Sequence, residues 1–114
     1  MKARTKQFAV EIISFCDSLE VKKASAVITY QIVKSATSTG ANYRAACRSR
    51  SKAEFFSKMS IVVEEVDESQ YWLEVIKDSL LSKKPAELDR LLKEAIELNK
   101  IMSKARNSSY TAKK

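Results

Sequence analysis

Histidine is absent from this chain, and turn-forming residues nearly so: one glycine, Gly40, and one proline, Pro85, in 114 residues. The missing histidine excludes Ser–His–Asp and Cys–His catalysis, the usual zinc and iron sites, and the Glu-x-x-His pattern of di-iron bundles. A single glycine cannot build a P-loop or a dinucleotide fingerprint, and "SATSTG" lacks the required Gly-to-Lys spacing. Glu64 and Glu68 stand one turn apart, but in an alternating charged face such a pair reads as solvated surface. No enzymatic activity, cofactor or metal is expected. Cys16 and Cys47 are far apart and fit no metal spacing, so both are expected as small buried hydrophobes. No apolar run approaches the roughly 18 to 20 residues of a membrane span. The opening "MKARTKQFAVEIISF" is interrupted by Glu11 and has no small-residue cleavage site. A cytoplasmic protein without membrane contact is the expectation.

Ordinary chains carry about 7% glycine and 5% proline. Having so little of either means few turns, hence few and long elements. With Ala, Leu, Lys, Glu and Ser abundant, the chain reads as all-α, and its length allows one domain, residues 1–114. A first helix is expected over about residues 5–19, where Phe8, Ile12, Phe15 and Leu19 make one apolar stripe. A second begins near Lys22 and reaches Cys47 if the Gly40 region stays helical. The third starts at a capping box, "SKAE", in which Ser51 accepts from the N–H of Glu54. Phe55, Met59, Val62, Val66, Leu73 and Leu80 form its stripe, ending near Leu81. Pro85 opens the fourth, where its missing N–H costs nothing. Leu88, Leu91, Leu92, Ala95, Leu98 and Met102 face inward there. The ordered core spans about residues 5–106, and residues 107–114, "NSSYTAKK", are expected to fray. Four amphipathic helices with short connections predict an antiparallel up-down four-helix bundle.

The net charge of +7 is unevenly spread. Residues 21–53 carry seven cations and no acid, whereas residues 54–81 carry seven acids against Lys58 and Lys77. Such segregation points either to an anionic partner or to pairing between a basic and an acidic element. Placed on a helix at about 100° per residue, residues 22–49 sort into three sectors. Ile28, Ile32, Ala36, Thr39, Tyr43 and Cys47 form the core face. Lys23, Lys34, Arg44 and Arg48 form a basic face with Tyr30 among them. Gln31, Ser35, Ser38, Asn42 and Ser49 form a narrow polar stripe, with Gly40 placed for close approach of another helix.

The basic face has two readings, which composition leaves balanced. It is an electrostatic strip for phosphates, continued by Arg50 and Lys52, with Tyr30 and Tyr43 nearby for base stacking. Otherwise its cations pair with the acidic outer face of the third helix, within the chain or across subunits. The polar stripe is either solvent-exposed and bonded back to its own backbone, or a seam through Gln31 and Asn42. On the third helix, Ile61, Trp72 and Val75 lie among Glu64, Glu65, Glu68 and Glu74, a pattern that marks a protein–protein contact and predicts homo-oligomerisation, the alternative being that an edge of the bundle covers Trp72.

"QIVKSATSTGAN" with a basic stretch after it, the "SKAEF" helix start, "KMSIVVEEVDESQYWLEVI" and a Leu-rich last helix resemble the S23, or 23S rRNA intervening-sequence, protein family. The likeness covers about residues 8–106. It rests on Gln31 with Ser35-Ala36-Thr37-Ser38, on Gly40-Ala41-Asn42, and on Tyr71-Trp72-Leu73-Glu74. It implies an up-down four-helix bundle in a homopentameric ring, with no established catalysis. It also implies kinship with the accessory variability proteins of diversity-generating retroelements, which are basic pentamers that bind nucleic acid and a reverse transcriptase. Where many relatives continue with an Ile-Ala-Glu-like run, this chain has Tyr43-Arg44-Ala45-Ala46 and is more basic.

The expected function is therefore RNA or DNA binding by a non-enzymatic oligomer. Its contacts would be Lys23, Lys34, Arg44, Arg48, Arg50 and Lys52, with Lys22 secondary. The subunit interface would use Ile61, Trp72, Val75, Gln31 and Asn42. The alternative is a scaffold that binds a protein partner and spends its basic residues on subunit interfaces.

Overall fold

In the computed structural model, which describes residues 1–112 and side chains through Ser109, four helices account for most of the chain. They are α1 (Lys2–Cys16), α2 (Ser25–Cys47), α3 (Lys52–Asp78) and α4 (Pro85–Ala112). No strand occurs among the described residues, and no helix is long and apolar enough to cross a membrane. The helices pack in chain order, α1 on α2, α2 on α3 and α3 on α4, with a lighter α1–α4 contact. The whole measures 49 × 21 × 18 Å.

The expected stripes meet in the interior. Phe8, Ile12 and Phe15 of α1, Ile32 and Ala36 of α2, Val66 and Leu73 of α3, and Leu91, Ala95 and Leu98 of α4 form the main core. A second cluster of Ala46, Met59, Val62 and Met102 fills the end beyond α1's reach. Gly40 packs beneath Thr5 of α1, yet a Cβ there would lie 3.6 Å from the nearest Thr5 atoms, an ordinary contact. Close helix approach does not require the glycine.

Several boundaries and placements differ from expectation, each for a local reason. α1 starts at Lys2, because Lys2, Ala3 and Arg4 are good helix formers and the Thr5 N–H reaches the Met1 carbonyl. It stops at Cys16, where the Ser18 hydroxyl donates to the Phe15 carbonyl at 2.6 Å. α2 starts at Ser25, whose hydroxyl donates to the Glu20 carbonyl and accepts from the Lys22 N–H, holding residues 22–24 in a turn. α3 begins as expected, with Ser51 Oγ accepting from the Glu54 N–H at 3.0 Å. It ends at Asp78 by a Schellman arrangement: Leu81 N–H to the Ile76 carbonyl, Leu80 N–H to the Lys77 carbonyl, and Leu80 at φ 59°. Leu80 therefore leaves the core stripe and is 83% exposed, while Leu81 turns inward. An antiparallel bridge between Leu19 and Ser82, with Glu20 N–H bonded to the Leu81 carbonyl at 2.8 Å, ties the α1–α2 and α3–α4 connections together.

At the other end, α4 continues to Ala112, into the segment expected to fray, since Asn-Ser-Ser-Tyr-Thr-Ala holds no breaker and propagation is cheap once a helix exists. Lys113 and Lys114 lie outside the described residues. Cys16 is buried as expected, and burial pushes its thiol up to about 11. Cys47 is exposed instead, because it sits in the last turn of α2 where the core face runs out.

Candidate nucleic-acid interface

The α2–α3 corner concentrates positive charge. Arg44 lies in the last turn of α2, where a cation is favoured by the helix dipole, and Arg48 is that helix's C-cap. Arg50 occupies the turn, and Lys58 rises from the second turn of α3. With Ala41, Ala45 and Glu54 they line a cleft of about 640 Å³. Arg44, Arg48 and Arg50 are exposed and make no ion pair among the described residues. The small alanines between them leave guanidinium groups as the dominant chemistry. That chemistry suits a polyanion, since each fork takes a phosphate through paired hydrogen bonds.

The other expected contacts are not gathered there. Lys34 is exposed on α2 roughly 15 Å before Arg44, at about 1.5 Å per residue. Lys23 is exposed in the turn ahead of α2, near the far end of the molecule, because residues 22–24 are not helical. Lys52 is exposed at the first position of α3. Tyr30 is exposed well away from the cleft, and Tyr43 is half-buried against the second core cluster. Neither tyrosine lines the cleft.

Intrachain pairing uses different residues. Arg4 of α1 holds Glu94 of α4 with two 2.8 Å bonds and also reaches Glu97 at 2.8 Å. Arg90 of α4 joins Glu11 of α1 at 3.1 Å and pairs with Glu87. Hydrogen bonding to these arginines lowers the pKa of Glu94 and of Glu87. Lys77 reaches Asp89 at 3.3 Å. Among the described residues, Glu64, Glu65 and Glu68 pair with none of the α2 arginines; Glu68 instead accepts the Trp72 indole N–H at 3.2 Å.

The expected interface residues scatter as well. Ile61 is exposed. Trp72 and Val75 are half-buried against the main core rather than fully presented outward, because the bundle edge covers them. Tyr71, 55% exposed, stacks edge-on against Trp72 at 5.1 Å. Asn42 donates back to the Ser38 carbonyl and Oγ at 2.9 Å, and Gln31 is half-buried. The α2–α3 seam belongs to Ser35 and Ser69, whose buried hydroxyls meet at 2.8 Å. Ser69 was findable: it lies three residues after Val66 and four before Leu73, on the buried line of α3.

Sequence reasoning also missed Lys2, Lys6 and Lys58. Lys2 and Lys6 lie beside Arg44, lining a second cleft with Gly40 and Ala41. Residues 1–20 are charge-balanced overall, which hid a basic start to α1 whose acids come later in the segment. The usable signal was the i, i+4 spacing of the two lysines.

A family model described as 23S rRNA-intervening sequence protein matches residues 1–104. The chain belongs to that family. Among solved structures, the 23S rRNA-intervening sequence fold of this chain is similar to a protein of unknown function from the S23 ribosomal protein family of Bacteroides thetaiotaomicron. That match has 30% identity and a TM-score of 0.79, over 92% of this chain and 96% of the other. No curated relative matches.

Proposed function

We propose that this member of the 23S rRNA-intervening sequence protein family is a non-enzymatic RNA-binding protein that takes phosphates at the α2–α3 corner. The observation that carries the reading is the cluster of exposed, unpaired Arg44, Arg48 and Arg50 around one cleft. The names of its family and of the Bacteroides neighbour refer to 23S rRNA and to ribosomal proteins, which supports RNA as the polyanion. Lys34, Lys23 and Lys52 extend the surface as weaker, peripheral contacts. Four helices in antiparallel up-down order fit the tied connections, and a cytoplasmic homo-oligomer, pentameric by family likeness, would present the corner several times. Repetition raises avidity without new contacts.

Arg44→Glu/Arg48→Glu should abolish binding of a structured RNA in fluorescence anisotropy while leaving the circular dichroism spectrum unchanged. Unchanged affinity in that variant would refute the assignment.

A second reading has its own observation. Tyr71 is exposed against Trp72, and Ile61 is exposed about three turns earlier on the same acid-rich helix. A scaffold that assembles through this strip, with the α2 arginines meeting a neighbour's Glu64, Glu65 or Glu68, would be insensitive to added RNA and would dissociate when Arg44 and Arg48 are reversed.

A further inference from the structure

The cleft on the other side of Arg44 is not part of the corner described above. It has a volume of about 560 Å³ and is lined by Lys2, Ala3, Thr5, Lys6 and Ala9 from α1, and by Thr37, Gly40, Ala41 and Arg44 from α2. Lys2 and Lys6 are one helical turn apart and lie on the same side of α1. Neither makes an ion pair among the described residues, and Arg4 between them is already held by Glu94 and Glu97. The walls are small: three alanines and the glycine. Thr5 Oγ1 donates to its own helix at the Met1 and Lys2 carbonyls, and Thr37 Oγ1 does the same at Val33 and Lys34. The cleft thus offers fixed positive charge over a small-residue floor, with its hydroxyl donors already used.

We infer that Lys2, Lys6 and Arg44 form a second phosphate-backbone site, continuous with the first through Arg44, and that the two clefts together hold the backbone of a double-stranded nucleic acid. This rests on the nucleic-acid reading above and extends it. Binding of an unpaired strand needs aromatic faces on which bases stack. The linings of both clefts supply cations, alanines and one glycine instead, with Glu54 in the first and Thr5 and Thr37 in the second. The exposed Tyr30 lies roughly 21 Å along α2 from Arg44, beyond either cleft. Charge spread across two clefts on either side of one arginine matches a helix that presents its sugar-phosphate backbone outward, read by shape and charge.

The test measures binding of an RNA duplex, the DNA duplex of the same sequence, and the unpaired RNA strand across a salt series. The wild type is compared with Lys2→Gln/Lys6→Gln and with Arg48→Gln/Arg50→Gln. A duplex should bind ahead of the single strand. Each double variant should weaken duplex binding and make the log–log salt slope shallower by about 0.9 per lost contact on B-form DNA. Should the lysine variant keep wild-type affinity and slope while the arginine variant loses both, the second site is refuted and the corner stands. A wild type that binds none of the three probes refutes the corner itself, and the extension with it. Single strand bound as tightly as duplex overturns the double-stranded assignment. All four substituted side chains are exposed or at the surface, and equal thermal midpoints confirm that folding is unaffected.

Discussion

Replacing Gly40 by alanine should stabilise the protein. Gly40 lies inside α2, in helical conformation without a positive φ, so alanine meets no backbone strain. Its new Cβ would sit 3.6 Å from Thr5 C, O and Oγ1, at van der Waals distance. Helix propensity favours alanine by about 1 kcal/mol, part of it through the unfolded state. Because the site is buried, the added methyl contributes a few tenths more, for a total of about 1 kcal/mol. In a chain of this length that raises the thermal midpoint by roughly 3–5 °C. Urea unfolding followed by far-UV circular dichroism and by Trp72 fluorescence would measure it, the two probes together checking two-state behaviour. A loss of stability of 1 kcal/mol or more would refute the reasoning. It would mean that α1 rides closer to α2 than described, or that Gly40 faces something beyond this chain.

Leu80→Gly should also stabilise, by about 0.5–1 kcal/mol in the same assay. The left-handed conformation penalises leucine by roughly 1–2 kcal/mol, and its exposed side chain contributes little packing; a lower urea midpoint would contradict the Schellman ending of α3. Acid should unfold the protein partly through the α1–α4 ion pairs. Arg4 depresses the pKa of Glu94, so that pair's stabilisation is present above the unfolded carboxyl value of about 4.3 and disappears as pH falls through the folded value. Arg4→Gln should cost about 1 kcal/mol at neutral pH, since a third of the Arg4 side chain stays in water, and should flatten the stability–pH curve below about pH 5. An unchanged curve would show the pair to be idle.

Much of the fold was legible because apolar spacing reports burial directly. Phe8, Ile12 and Phe15, or Leu91, Ala95 and Leu98, could line up only on helices with a common interior. Ser51 and Pro85 marked two helix starts through chemistry that acts within one turn. The chain ends of helices were less legible. Leu80 takes a conformation usual for glycine, and α1 closes through a bridge to Ser82, a residue more than sixty positions away. Arg44, Arg48 and Arg50 were readable as a cluster because they are local in sequence. Lys2 and Lys6 were not, since only the packing of α1 across Gly40 brings them to Arg44. Ser35 was visible as part of a polar stripe, but its partner Ser69 emerges only from the α2–α3 contact.

The salt dependence of RNA affinity for the wild-type protein tests the central claim most directly. Phosphate recognition at Arg44, Arg48, Arg50 and Lys58 predicts a linear fall of log affinity with log salt, with a slope of about −3 if all four cations engage, at roughly 0.7–0.9 per contact. Affinity that stays flat across the salt series, or no binding at low salt, would contradict it.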